Sequence, residues 1–164
     1  MENQLRLRTL KIYTMNILEI LYPADDIFVK NQIFDNNKLS IEVDCIIPSK
    51  SNYTNKPVPY VTTENYVRCL SQTSYLLAHH LVKENILSFK INENEFIKAM
   101  ANYDLYYRNL AMTFHYRTKK DESFKMILEL KNIKEIKSLN NSLLFIFSNK
   151  RTVISGEMSF IYVK

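Results

Sequence analysis

Apolar positions in the first 22 residues repeat at helical spacing: Leu10, Ile17, Leu18 and Leu21 line one face of Leu5 to Tyr22. Pro23 ends the run, because the residue before a proline avoids the α region. The period then shortens. Ile27-Phe28-Val29 and Ile33-Phe34 precede the polar turn Asp35-Asn36-Asn37-Lys38, after which Leu39, Ile41, Val43 and Cys45 alternate with polar residues, the signature of a hairpin. Pro48 to Pro59 is polar and proline-rich and reads as surface loop. Thr63, ahead of Glu64, suits a helix N-cap, and Glu64 to Glu84 is the longest helical pattern in the chain. Asn92 caps a short helix, Glu93 to Met100. Four strands follow at Leu105 to Tyr116, Ser123 to Ile133, Leu143 to Ser148 and Thr152 to Val163, with a hairpin turn at Ser148 to Arg151.

The long helix is apolar around most of its circumference, with Tyr66, Val67, Cys69, Leu70, Leu76, Leu77, Ala78 and Leu81, so it belongs in a core. Arg68, Ser71, Gln72, Tyr75 and His79 nevertheless fall at steps of three and four and share one face. A polar stripe on a buried helix must meet partners or a cavity. Helices segregated from consecutive antiparallel strands define an α+β layer architecture. A long central helix wrapped by a curved antiparallel sheet, with an added N-terminal helix, is the hot-dog arrangement that this pattern permits. The 164 residues, without repeat or linker, make one domain spanning 1–164.

Composition removes several classes of function. The single glycine, Gly156, cannot build a Walker loop, a dinucleotide fingerprint or a nucleophile elbow, each of which needs several. The net charge of +5 is mild, and Lys119-Lys120 and Lys131 to Lys137 are diluted by Asp121, Glu122, Glu129 and Glu135, which argues against nucleic acid. The adjacent His79-His80 point about 100° apart on a helix with no third ligand in register, so no metal and no cofactor is expected. No apolar run reaches the roughly 18 residues of a membrane span and no signal peptide is recognisable, so the expected location is cytoplasmic, with Cys45 and Cys69 reduced.

Cys69-Leu70-Ser71-Gln72-Thr73-Ser74-Tyr75 resembles the central-helix signature of the FcoT-like hot-dog proteins, which runs Cys, apolar, Asn, Gln, two variable residues, Tyr. Upstream, a loop carrying Tyr53 and then Pro59-Tyr60-Val61 is similar to that family's tyrosine-bearing loop and aromatic segment. Downstream, Leu143 to Phe147 and Ile154-Ser155-Gly156-Glu157-Met158 resemble its final hairpin. The resemblance implies long-chain acyl-CoA thioesterase activity, or addition of glycine to a (2E)-enoyl thioester on an acyl carrier protein as in isonitrile lipopeptide pathways. It also implies Tyr53, Gln72 and Tyr75 as site residues, with Tyr22 as a further tyrosine. Ser71 stands where the family has asparagine and Tyr60 where it can carry histidine.

A thioester carbonyl under attack develops negative charge that aimed donors stabilise. Tyr53, Tyr60, Ser71, Gln72 and Tyr75 are therefore the expected catalytic residues. Tyr22, Asn65, Arg68 and His79 are the expected substrate-binding residues, with the N–H groups of 63–65 at the positive end of the long helix. The expected function is hydrolysis of an acyl thioester of coenzyme A or acyl carrier protein, or glycine addition to the enoyl form. The alternatives are a non-catalytic acyl-thioester binder or a dehydratase of the same fold. A homodimer or higher homo-oligomer is expected, because hot-dog sites form between protomers.

Overall fold

The protein is described from a computed structural model covering residues 17–50, 55–87 and 91–163. Six strands form one sheet: β1 (Val29–Asp35), β2 (Ser40–Ile46), β3 (Leu105–Phe114), β4 (Ser123–Ile136), β5 (Ser142–Asn149) and β6 (Ile154–Tyr162). Their order is β1-β2-β4-β5-β6-β3 and every neighbouring pair is antiparallel. Helix α1 (Thr63–Lys83) packs on β1, β2 and β4 and against the short α2 (Glu93–Ala101). A long buried helix against a six-stranded antiparallel sheet is the hot-dog architecture. Most of the expected N-terminal helix lies outside the described residues. Its last turn is described, with the Tyr22 N–H donating to Leu18 O (2.8 Å).

Alternation puts the core where the strand pattern places it. Ile41, Val43 and Cys45 on β2, Phe124, Met126 and Leu128 on β4, and Phe145 and Phe147 on β5 are buried between more exposed residues. Phe145, Phe147 and Phe160 stack across β5 and β6, with Phe145 and Phe160 centroids 4.8 Å apart. β3 departs from this alternation. After Leu105 it is exposed on both faces save for Met112, because it is the edge strand beyond the helical layer. Tyr106, Tyr107, Leu110 and Phe114 are all exposed there.

With one glycine in the sequence, asparagine takes three of the six left-handed positions among the described residues. Asn140 and Asn141 (φ 48° and 56°) are the central residues of a turn at the end of the 137–141 connection between β4 and β5, and the Ser142 N–H closes that turn on Leu139 O (2.8 Å). At the end of α1, Asn85 (φ 52°) sits past the cap while the Ile86 N–H reaches Leu81 O (3.0 Å), a Schellman closure. α1 starts one residue before the expected boundary. Its cap is Thr62, not Thr63, because Asn65 Oδ1 accepts from the Thr62 N–H (3.1 Å). Asn92 caps α2 by accepting the Asn94 N–H (2.8 Å).

Gly156 is where the chain has no alternative to glycine. It pairs with Met112 across β3 and β6, and a Cβ there would lie 1.9 Å from Ala111 O. Gly156→Ala is expected to lower stability by about 1–3 kcal/mol or more, since backbone of β3 must move aside. Denaturant unfolding checks this, and hydrogen exchange should report the loss first in β3.

Candidate functional site

The polar stripe of α1 is buried apart from the half-buried Arg68, and each member meets a named partner. Gln72 is fully buried. Its Oε1 accepts the N–H groups of Phe28 (2.9 Å) and Val29 (3.4 Å), and its Nε2 donates to Asp26 O (2.6 Å). One turn earlier, Arg68 Nη1 donates to Asp26 Oδ1 (2.8 Å) and the guanidinium lies 5.6 Å from the Phe28 ring centroid. Arg68 and Gln72 thus fasten the segment that passes from a 3-10 turn (Ala24–Asp26) into β1. The amide's acceptor and one donor are committed to backbone, so Gln72 builds the site's wall.

Fastening that segment brings Tyr22 onto the same face. Its hydroxyl donates to Ser71 Oγ (3.0 Å), and Ser71 Oγ is hydrogen-bonded to the hydroxyl of Tyr107, which reaches in from β3. Ser74 Oγ donates to Ser71 O (2.8 Å) and lies 3.3 Å from the Tyr107 hydroxyl. The Tyr75 phenol interacts with the hydroxyls of Tyr107 and Ser71, its ring packed between those of Tyr107 (6.4 Å) and Phe160 (6.1 Å). The Tyr22 proton is committed to Ser71 Oγ and the Ser74 proton to Ser71 O, while Ser71 and Tyr107 can each donate in the bond they share, so one of their two protons is left to turn toward a ligand.

These phenols stay neutral. Burial, reinforced by the neighbouring Tyr22, pushes Tyr75 up to about 12. Burial and then Tyr75 push Tyr107 well above the usual phenol range. Burial also raises Tyr22. Groups so weakly acidic donate hydrogen bonds near neutrality and do not act as bases. One turn beyond Tyr75, the buried His79 holds Glu93 Oε1 through Nε2 (2.9 Å). Burial lowers its pKa, against the opposing pull of Glu93, so the ring is neutral near pH 7 and able to accept a proton. The Cys69 thiol is pushed up by burial and then by the adjacent Cys45 thiol, which disqualifies it as a nucleophile.

Of the residues expected from sequence, the structure brings together Tyr22, Arg68, Ser71, Gln72, Tyr75 and His79. Tyr60 and Asn65 stand apart, at the N-terminal end of α1. Asn65 is turned back as the capping partner of Thr62, and Tyr60 lies under the Arg117 guanidinium (4.5 Å). Tyr53 lies outside the described residues. Tyr107 was not foreseen, because nothing in the local sequence separates it from its exposed neighbour Tyr106; only the β3–β6 register aims its hydroxyl at α1. His115 is half-buried with Nε2 2.7 Å from Ser155 Oγ, and Lys120 is buried. Local pairing holds both: His115 N–H donates to Val153 O (2.9 Å), and Lys120 N–H to Pro59 O (3.0 Å). No group of three metal-ligating side chains occurs among the described residues, and none of their helices is long and apolar enough to cross a membrane.

No family model and no curated protein matches this chain. Solved structures do. A protein of Ralstonia eutropha JMP134, described as phenylacetic acid degradation-related and a candidate thioesterase, superposes with a TM-score of 0.51 at 12% identity over 91% of this chain and 98% of its own. An uncharacterized Pyrococcus horikoshii protein, PH1136, gives a TM-score of 0.48 at 10% identity over 86% of this chain and 87% of its own. The chain shares the fold of the Ralstonia protein. At this identity the similarity speaks to architecture, and the chemistry rests on the side chains above.

Gln72→Ala would leave two buried N–H groups and one carbonyl without their partner. The sequence alone suggests that this substitution spares the fold. The geometry predicts instead a loss of about 2–4 kcal/mol, from penalties of about 1–3 kcal/mol for each stranded group partly offset by water. Chemical denaturation of the variant measures it.

Proposed function

We propose that this chain is an enzyme that hydrolyses acyl thioesters, and the observation that carries the reading is the buried cluster of neutral hydroxyls of Tyr22, Ser71, Tyr75 and Tyr107 on the polar face of α1. Hydrolysis needs donors aimed at the carbonyl oxygen, a water, and a group to take the water's proton. Tyr75 and Tyr107 are donors that cannot ionise near neutrality, so they hold their protons while negative charge grows on the oxygen. His79, neutral and oriented by Glu93, takes the proton of the attacking water. The tetrahedral intermediate then expels the thiolate, which leaves with that proton. The fold shared with the candidate thioesterase of Ralstonia supports the reading, as does the similarity of the Cys69 to Tyr75 stretch to the FcoT-like proteins.

The acyl carrier, coenzyme A or carrier protein, supplies the thioester. Glycine addition to an enoyl thioester uses the same carbonyl polarisation, but the glycine amine attacks the β-carbon, its proton ends on the α-carbon and the thioester bond is kept; the assay below distinguishes the two. We further propose that the working form is a homodimer joined along β3. That strand is an open edge carrying the exposed side chains of Tyr106, Leu110 and Phe114, and the Tyr107 ring is itself partly exposed there, so a second copy would close the cluster from outside.

The purified protein, incubated with saturated and (2E)-enoyl thioesters with and without glycine, is expected to release free acid and thiol. A product heavier by one glycine would assign the addition reaction. Thioester held without turnover would make the chain a binder. Tyr75→Phe and Tyr107→Phe are each expected to lower kcat by about 10²–10³, the usual loss for one oxyanion donor. Light scattering is expected to give twice the 19.5 kDa chain mass, falling to the single mass in Leu110→Asp.

A further inference from the structure

The face of α2 turned away from His79 borders a second cleft. Glu93 and Phe96 point toward His79, and by the helical step of about 100° Glu95, Lys98 and Ala99 fall on the other side. There they line a cleft of about 480 Å³ together with Ile91, Asp104 and Tyr162. Asp104 is fixed by backbone: its N–H donates to Ala99 O (2.8 Å), and its carbonyl accepts from the Val163 N–H (3.0 Å) just past β6. Tyr162, the last residue of β6, forms the floor, its ring stacked on Phe96 with centroids 6.1 Å apart.

The polar side chains of this lining are unmatched. Among the described residues Glu95, Lys98 and Asp104 form no ion pair, although Glu95 and Lys98 stand three apart on one helix face, where such pairs usually meet. Tyr162 is 5% exposed, and its hydroxyl has no hydrogen-bond partner among the described residues. Burial and then the charges of Glu95 and Asp104 raise its pKa, so the phenol keeps its proton beside both carboxylates. A buried donor costs free energy until a ligand or water accepts its hydrogen bond.

Each feature restricts the occupant. A divalent cation would meet the Lys98 ammonium, and no group of three metal-ligating side chains occurs among the described residues. A bare amine would satisfy Glu95 and Asp104 but leave Lys98 and the phenol donor unused. A bare carboxylate would satisfy those two and sit beside two negative charges. An ammonium and a carboxylate on one small molecule use all four, and Ile91 and Ala99 offer an apolar wall. We propose that this cleft binds a free α-amino acid with an apolar side chain, its ammonium between Glu95 and Asp104 and its carboxylate on Lys98 Nζ and the Tyr162 hydroxyl. The assignment does not depend on thioester chemistry, since the cleft and the hydroxyl cluster share no residue.

The test titrates the full chain with L-leucine and follows the amide signals of α2 by NMR, beside isopentylamine and isocaproate, which are leucine without its carboxylate and without its ammonium. Leucine is expected to bind with a Kd of about 1 mM or tighter, and each analogue about tenfold or more weaker, the weight of one lost hydrogen bond to a charged group. Glu95→Gln should weaken leucine and isopentylamine and spare isocaproate. Lys98→Gln and Tyr162→Phe should weaken leucine and isocaproate and spare isopentylamine. Glu95 and Lys98 are exposed and Tyr162→Phe keeps the ring, so these variants are expected to melt like wild type. No saturable leucine binding, or either analogue or glycine bound by wild type as tightly as leucine, would overturn the site. Leucine affinity unmoved by both Glu95→Gln and Lys98→Gln would overturn it as well.

Discussion

A helix buried against a sheet normally presents only apolar side chains, and α1 instead carries a row of polar ones into the interior. Each must find a partner or cost free energy. The structure meets this constraint with a second piece of chain. The backbone of Asp26 to Val29 is bound by the Gln72 amide, the Asp26 carboxylate by Arg68, and the Tyr22 hydroxyl by Ser71. The position of the 22–29 segment, and with it the entry into β1, is therefore dictated from α1. Local propensity has little part in it, since the segment contains only a three-residue 3-10 turn and a strand at the sheet edge.

The same constraint produces the hydroxyl cluster. Ser71 is one member of the row that is not used up by backbone, and the groups that satisfy it are phenols from Tyr22 and Tyr107, on opposite sides of α1 in the chain order. Hydroxyls brought together by burial raise one another's pKa, so the cluster is a set of protonated donors in a low-dielectric wall. His79, further along the stripe, is held neutral by the same burial and oriented by the first turn of α2. Structural satisfaction and candidate catalysis are consequences of one buried polar face.

Much of the architecture was legible because its signals are local. The period change at Ile27, the Asp35 to Lys38 turn, the long greasy helix and four consecutive strands all correspond to elements of the structure, with boundaries moved by a few residues at most. The α1 cap moved to Thr62 because Asn65 closes a capping box that Thr63 cannot. The stripe was legible too, as spacing alone sets which residues share a helix face. What sequence could not supply was which polar group meets which. Gln72 reads like a site donor, yet the approach of backbone 44 residues away uses its amide. Tyr107 reads like surface, and strand pairing turns its hydroxyl inward. Strand order, which puts β3 beside β6 and leaves it an edge, is likewise a long-range outcome.

The central claim is that the α1 hydroxyls polarise a thioester carbonyl, and the infrared stretch of a carbonyl-labelled acyl thioester bound to the protein tests it directly. The account predicts a band moved to lower frequency than in free solution, returning toward the free value when Tyr75 and Tyr107 are both replaced by phenylalanine. A bound carbonyl band at the solution frequency, or a shift unaffected by that double replacement, would contradict it.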